Sequence, residues 1–274
     1  GNKNAHKGAY QASKTVRHVA LSLTGEPITY PKINALVKRF NEEHISTFMV
    51  TNAQYPDAIR DLEPVTQLYI SVDAPNKELL KKIDVPLFQD YWERLNTSLE
   101  YLAQKKQRTC IRLTLIKEEN MCDMEGYASL IHKGDPDFLE LKGYMFVGAS
   151  QQRLSYKNMP LHEEIVAWSQ ELVKLLPEYE IVSEHIPSRV VMLAKKKLKK
   201  NDGWYTWIDF PKFHELVVSG KECRTEDYLR KTPQVGISGK GTKEHHEMIQ
   251  EQRRKKKEFF VNEHTEELEF WKEV

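Results

Sequence analysis

No apolar run in the chain is long enough to cross a bilayer, and the N-terminus lacks the charged-then-apolar pattern of a signal peptide. Cysteine is scarce: Cys110, Cys122 and Cys223 are the only three in 274 residues, and they lie far apart. So sparse and odd a set excludes a disulfide scaffold and points to a reducing compartment, the cytoplasm. It also offers no compact group of thiolates for a cubane iron–sulfur cluster. A dominant charge is missing too, since 41 Lys and Arg stand against 40 Asp and Glu. No global field draws the chain to a polyanion, and only local clusters can do so. Tight hairpin signals are few and no solenoid-length repeat occurs, which argues against sandwiches and repeat arrays.

What is present is a rhythm of short apolar runs, each followed by a helical stripe. The run Val19 to Pro27, VALSLTGEP, combines apolar and small residues and reads as a central strand buried on both faces. Gly25 permits a sharp turn, Pro27 stops the ladder, and Glu26 is left beyond the strand end. Further strands are expected at Ile45–Val50, Val65–Val72, Thr109–Ile116, Phe138–Val147 and Glu180–Glu184, with Val190–Ala194 as an antiparallel partner. Helices alternate with them, one of them carrying Leu79, Leu80 and Ile83 behind a capping Asn76. This order predicts an α/β fold of parallel βαβ units, a partial (β/α) barrel over residues 15–195.

The flanks differ in character. Residues 1–14 are small and polar, and the first residue is Gly1 rather than Met, so this segment is expected to be a truncation boundary. Residues 196–233 form a C-terminal extension joined to the barrel by the basic run Lys195–Lys200, with Trp204, Tyr205 and Trp207 as an aromatic group suited to stacking on bases. Residues 234–274 form a charged tail, expected to be partly disordered, with a short helix over Phe259–Trp271. His245 and His246 lie in this tail between glutamates and read as a solvated tract rather than a metal site.

In a parallel fold the C-terminal strand ends converge on one mouth. There the chain places Gly25 and Glu26, Thr51 and Asn52, Ser71 and Asp73, Lys117 and Glu118, Lys142 and Gly143, and Glu184 and His185. Glu26 and Asp73 can accept from an amine or a ribose hydroxyl, and Asn52 and Ser71 add mixed donors and acceptors, which suits a nucleoside-like ligand bearing an ammonium group. Taken singly, each is as readily a capping group. Lys142, inside a mostly apolar strand, either reaches the mouth as an amine nucleophile able to form an imine or pairs with Glu140 or Glu118.

Ten stretches, among them ALSLTGEPITYP, STFMVTNAQYP, LEPVTQLYISVDAP, RTCIRLTLIK, PDFLELKGYMFVG and GWYTWIDFPKF, resemble the radical S-adenosylmethionine enzymes that form 4-demethylwyosine in phenylalanine tRNA, the tRNA wybutosine-synthesis protein 1 family. The likeness runs in order from about Val16 to Pro233. It implies a barrel of the radical SAM type, S-adenosyl-L-methionine and a [4Fe-4S] cluster as cofactors, and condensation of N1-methylguanosine with carbons from pyruvate. It further implies an electron donor, in some relatives a flavodoxin-like FMN domain upstream. By position, Gly25, Glu26 and Pro27 match the motif that receives the amino group of S-adenosylmethionine. Asn52, Ser71 and Asp73 match positions near its ribose and carboxylate, with Arg112 and Thr114 as further candidates. Lys142, Glu184 and His185 match polar positions facing pyruvate or the target base.

One departure stands out: the family's CxxxCxxC loop is absent from the sequence. The expectation is that its cysteines lie upstream and that this chain alone is inactive. Two rivals remain, a cluster-independent barrel enzyme using Lys142 as an imine base and a non-catalytic tRNA-binding remnant.

Overall fold

The computed structural model describes residues 7–22 and 25–232. The charged tail, with its histidine pair and its expected terminal helix, lies outside the described residues. After a short helix α1 (Lys7–Ala12), the chain alternates β1 (His18–Leu21), α2 (Ile33–Glu42), β2 (Ser46–Thr51), α3 (Pro56–Arg60) and β3 (Gln67–Ser71). It continues with α4 (Lys77–Asp84), α5 (Tyr91–Gln104), β4 (Thr109–Leu115), α6 (Met124–Gly134), β5 (Phe138–Gly143), α7 (His162–Leu175), β6 (Tyr179–His185) and β7 (Val190–Lys195). These strands form one sheet in the order β1-β2-β3-β4-β5-β7-β6. The first five run parallel and β7 is antiparallel to both its neighbours, so β6 again points the same way as β5. Among the described residues β1 and β6 are free edges, and the barrel is partial. No helix among them is long and apolar enough to cross a membrane.

Local chemistry sets the element ends. The Asn76 side chain accepts from Leu79 N–H at 3.0 Å and starts α4, and Val85, at φ 46°, ends it. Asp123 and Asp209 cap α6 and, in the extension, α8 (Phe210–Val218) in the same way.

Alternation divides each strand between two cores. Leu68, Ile70, Ile111, Leu113, Leu139 and Leu141 face the helices and join the main core, while Tyr69, Cys110 and Phe138 face the opposite side. Gly143 sits where β5 passes α7. A Cβ there would lie 2.7 Å from Ile165 Cδ1, 3.2 Å from Arg189 Cβ and 3.3 Å from Pro160 Cγ. Gly143→Ala should therefore destabilise the fold by about 1–3 kcal/mol through overpacking, seen as a lower midpoint in urea at unchanged slope.

Three sequence expectations change. β1 is an edge strand of four residues, alternately exposed and half-buried, not a central strand buried on both faces. Small apolar residues such as Ala20 are tolerated at an open edge as well as in a core, so composition alone did not separate the two. The fifth strand stops at Gly143 instead of Val147, the bond from Tyr144 N–H to Leu115 O at 2.8 Å being the last of its ladder with β4. The extension is not an open aromatic arm but a second sheet, β8 (Lys199–Lys200), β9 (Gly203–Ile208) and β10 (Leu229–Lys231), with α8 alongside.

That extension closes the N-terminal end of the barrel, opposite the mouth. The Tyr228 hydroxyl receives Arg108 N–H at 2.7 Å and donates to Thr66 O at 3.0 Å, and Thr225 Oγ1 bonds Asp137 Oδ2 at 2.6 Å. Each of these partners lies just before or at the start of a barrel strand. Trp204 is 6 % exposed and packs on Phe138 and Ala194, so strand alternation has spent it on the core. Three of the five lysines in the basic run are ion-paired: Lys195 with Asp135, Lys197 with Asp137 and Glu226, and Lys199 with Glu180. Trp207 stays 52 % exposed, and Lys196 and Lys200 have no ion pair among the described residues.

Where α8 meets the first two strands, His214 packs on His44 with ring centroids 5.3 Å apart. Burial, with smaller contributions from His44 and His18, depresses its pKa to about 4. An unfolded histidine takes up its proton near the ordinary value of about 6.5. Stability should thus be full above that value and fall as pH drops towards 4. Melting scans between pH 7.5 and 4.5 should show a loss of on the order of 2–3 kcal/mol that His214→Phe largely removes.

Candidate functional site at the strand ends

The first strand end is built by Gly25, whose φ of 68° suits glycine, and by Pro27, which opens a 3-10 turn over Pro27–Thr29. The Thr29 hydroxyl donates to Glu26 O at 2.7 Å and fixes that turn. Glu26 is thereby held beside β2, where its Oε2 accepts Asn52 N–H at 2.9 Å. Its other oxygen, Oε1, is buried without a hydrogen-bond partner among the described residues. Burial raises the Glu26 pKa, opposed by hydrogen bonds from Asn52, Thr51 and Ile28. Asn52 Oδ1 is spent locally on Gln54 N–H at 3.1 Å, so part of its role is to cap its own loop, next to Ala53 at φ 64°.

Register sets the remaining groups in rows on the helix-free face. Ser71 stands opposite Arg112, Arg112 opposite Glu140, and Glu140 opposite Met192. One step nearer the mouth, Thr114 stands opposite Lys142, and Lys142 opposite Val190. Asp73 follows the end of β3 beside Thr114. Its pKa is raised by burial, with nearby Thr114 and the charge of Arg112 acting the other way, and its Oδ1 is buried without a hydrogen-bond partner among the described residues. Asn52, Ser71 and Asp73 line one cavity of about 320 Å³, together with Asp84, Leu87 and Phe88.

The expected cluster is therefore largely assembled. Glu26, Asn52, Ser71 and Asp73 gather at β1–β3, and Arg112 and Thr114 support them from β4. Arg112 is committed to Glu140, Nε to Oε1 at 2.9 Å, and its guanidinium lies 5.0 Å from the centre of the Tyr69 ring. That pair removes Glu140 as a partner for Lys142, which has no ion pair among the described residues. Glu184 is not brought in. The register slips between Ile181 and Ser183, Glu184 comes to lie opposite Val191 on the helix side, and its Oε2 bonds His162 Nε2 at 2.7 Å. His185 stays on the open face, opposite Val190, exposed and bonded to Ser188 at 2.8 Å.

Sequence reasoning missed three residues. Asp84, at the end of α4, faces the cavity, and its pKa rises to about 7 through burial and then the charge of Asp73. Asn120 is fully buried, donates to both Asp73 O (2.8 Å) and Thr114 O (2.7 Å), and so pins the ends of β3 and β4 together. The third is His162, at the start of α7. Asn120 had a signal in the polar stretch after β4, whereas Asp84 and His162 are placed by tertiary packing alone.

The thiols stand apart from this mouth chemistry. Cys110 is buried in the face that the extension covers, Cys223 lies in the extension core with its pKa pushed up to about 12 by burial, and Cys122 is exposed after β4. No group of three possible metal ligands occurs among the described residues.

Comparison with known proteins agrees with this arrangement. The radical SAM superfamily model matches residues 7–131 and the wyosine base formation model matches residues 133–195. The S-adenosyl-L-methionine-dependent tRNA 4-demethylwyosine synthase of Xenopus laevis is 48 % identical over 237 residues, 84 % of this chain and 32 % of that protein. The synthase of Oryza sativa subsp. japonica is 50 % identical over 226 residues, 81 % of this chain and 35 % of that one. The chain thus spans about a third of the length of the curated relatives it matches. A solved structure of TYW1 with a lysine-pyruvate adduct bound superposes with a TM-score of 0.64 at 35 % identity, covering 72 % of this chain and 63 % of that one. A crystal structure of archaeal TYW1 gives 0.58 at 35 % identity, covering 71 % and 62 %. With both family models in sequence along one partial barrel, the chain carries a radical SAM superfamily domain followed by a wyosine base formation domain.

Proposed function

We propose that the chain is the S-adenosylmethionine- and substrate-binding barrel of a tRNA 4-demethylwyosine synthase. The observation that carries this is the pair of buried carboxylate oxygens without a partner among the described residues, Glu26 Oε1 after β1 and Asp73 Oδ1 after β3, on either side of the end of β2, with Asp73 lining a cavity of about 320 Å³. Buried acceptors without donors are costly, and a ligand that brings an ammonium group and ribose hydroxyls supplies what they lack. A cavity of this size falls in the range for small ligands. Glu26 would receive the ammonium group, Asp73 and Ser71 the ribose, and Phe88 and Leu87 would cover the apolar part of the ligand. Arg112 and Asn120 act as positioning residues.

Lys142 serves the second substrate. Its row lies next to that of the adenosyl site, and with Glu140 engaged elsewhere its amine is available to attack the keto carbon of pyruvate, releasing water as the imine forms. The adduct bound in the solved TYW1 structure is of this chemical kind. The target nucleotide of the tRNA would enter from the mouth above both.

The radical SAM family implies a [4Fe-4S] cluster, which supplies the reducing electron when bound. The described residues do not fit it, since no three thiols approach one another. Binding is testable without it: calorimetric titration of the 274-residue chain with S-adenosylmethionine should show one saturable site, competed by S-adenosylhomocysteine. Heat of dilution alone would count against the reading.

A further inference from the structure

Large apolar side chains left open to solvent concentrate at one place. Twelve are exposed among the described residues, and six of them, Val85, Leu87, Met145, Val147, Tyr156 and Leu161, stand on two loops at the mouth. One loop follows α4, and the other, residues 144–161, follows β5. The second loop reaches the last turn of α4, where Arg153 donates to Ile83 O at 3.2 Å. Leu87 is 90 % exposed and also lines the cavity, so the rim is apolar where the floor is polar. Loops are ordinarily polar, and an apolar patch at a binding mouth marks a contact surface.

Charge selects the occupant. Residues 144–161 contain Arg153 and Lys157 and no Asp or Glu, in a chain where 40 of 274 residues are acidic. Tyr156 is 72 % exposed, yet its ring rests on Phe146 with centroids 4.3 Å apart, so it is supported rather than free. A supported aromatic ring beside a cation takes a stacked base and its phosphate. An acidic peptide would satisfy the charge but offers no flat ring to the apolar side chains. We propose that this rim, with Leu87 on one side and Tyr156 and Lys157 on the other, docks a single-stranded RNA loop, its apolar groups replacing the neighbours that the target base loses on leaving its stack. The proposal rests on the reading above that the chain acts on a nucleotide in RNA. It relocates the RNA contact from the extension, which lies at the far end of the barrel.

The test titrates the 274-residue chain with an RNA stem-loop carrying a fluorescent adenine analogue beside the loop guanosine. Wild type should bind and brighten the analogue. The double variant Val147→Ser, Tyr156→Ala, altered only at exposed positions outside the cavity, should bind at least about tenfold more weakly without brightening, at unchanged S-adenosylmethionine affinity. Lys157→Glu should weaken binding and flatten its salt dependence. Equal RNA binding by wild type and the double variant would overturn the rim while leaving the RNA reading intact. No RNA binding by a wild type that still binds S-adenosylmethionine would overturn both. Sedimentation showing a dimer that the double variant dissolves would assign the rim to a second copy of the chain, and would overturn it too.

Discussion

Asp73→Asn should weaken S-adenosylmethionine binding about 10- to 100-fold while leaving the circular dichroism spectrum of the chain unchanged. The substitution keeps the shape of the side chain and removes its charge. A hydrogen bond to a charged group contributes about 1.5–3 kcal/mol, which sets that range. The wild-type affinity should also depend on pH, with a sign fixed by the two acids. Burial raises the pKa of both Asp73 and Asp84, and that of Asp84 reaches about 7 through burial first and then the charge of Asp73. Above that value Asp84 is a carboxylate and favours a cationic ligand; as pH falls through it, Asp84 is neutralised and affinity declines. In Asp73→Asn the neighbouring charge is gone, so the midpoint of the pH profile should move to lower pH. An unshifted midpoint, or an unchanged dissociation constant, would remove Asp73 from the site.

The second large effect concerns Lys142. Incubation with pyruvate and borohydride should reduce the imine to a stable secondary amine on one lysine, and peptide mapping should place it at Lys142. Lys142→Ala and Lys142→Arg should abolish the label, since the guanidinium is not a nucleophile of this kind. The reaction needs neither iron nor S-adenosylmethionine, because imine formation uses only the amine, the ketone and loss of water. Turnover of pyruvate beyond the imine in their absence would instead support a cluster-independent enzyme. Labelling shared evenly among surface lysines would show that the strand position confers nothing.

Much of this site was legible before any coordinates, for a definite reason. The strand period places Arg112 and Thr114 opposite Ile111 and Leu113, and the parallel order brings Glu26, Asn52, Ser71 and Asp73 to one end. Properties that depend on interruption or on distant packing were not legible. The slip near Ile181 turns Glu184 towards His162, and a single-residue slip leaves no mark in hydrophobic pattern. The edge position of β1 depends on what pairs beside it, which its own residues do not record. Trp204 looked like a base-stacking residue because aromatic composition says nothing of which face the strand presents. Its burial against Phe138 follows only from where the extension docks.

The most direct measurement is a crystal structure of the chain soaked with S-adenosylmethionine. The account predicts ligand density in the cavity lined by Asn52, Ser71 and Asp73, with the methionyl ammonium on Glu26 and the ribose hydroxyls within hydrogen-bond distance of Asp73. Ordered ligand bound away from these strand ends, with Glu26 Oε1 and Asp73 Oδ1 still unpartnered, would contradict it.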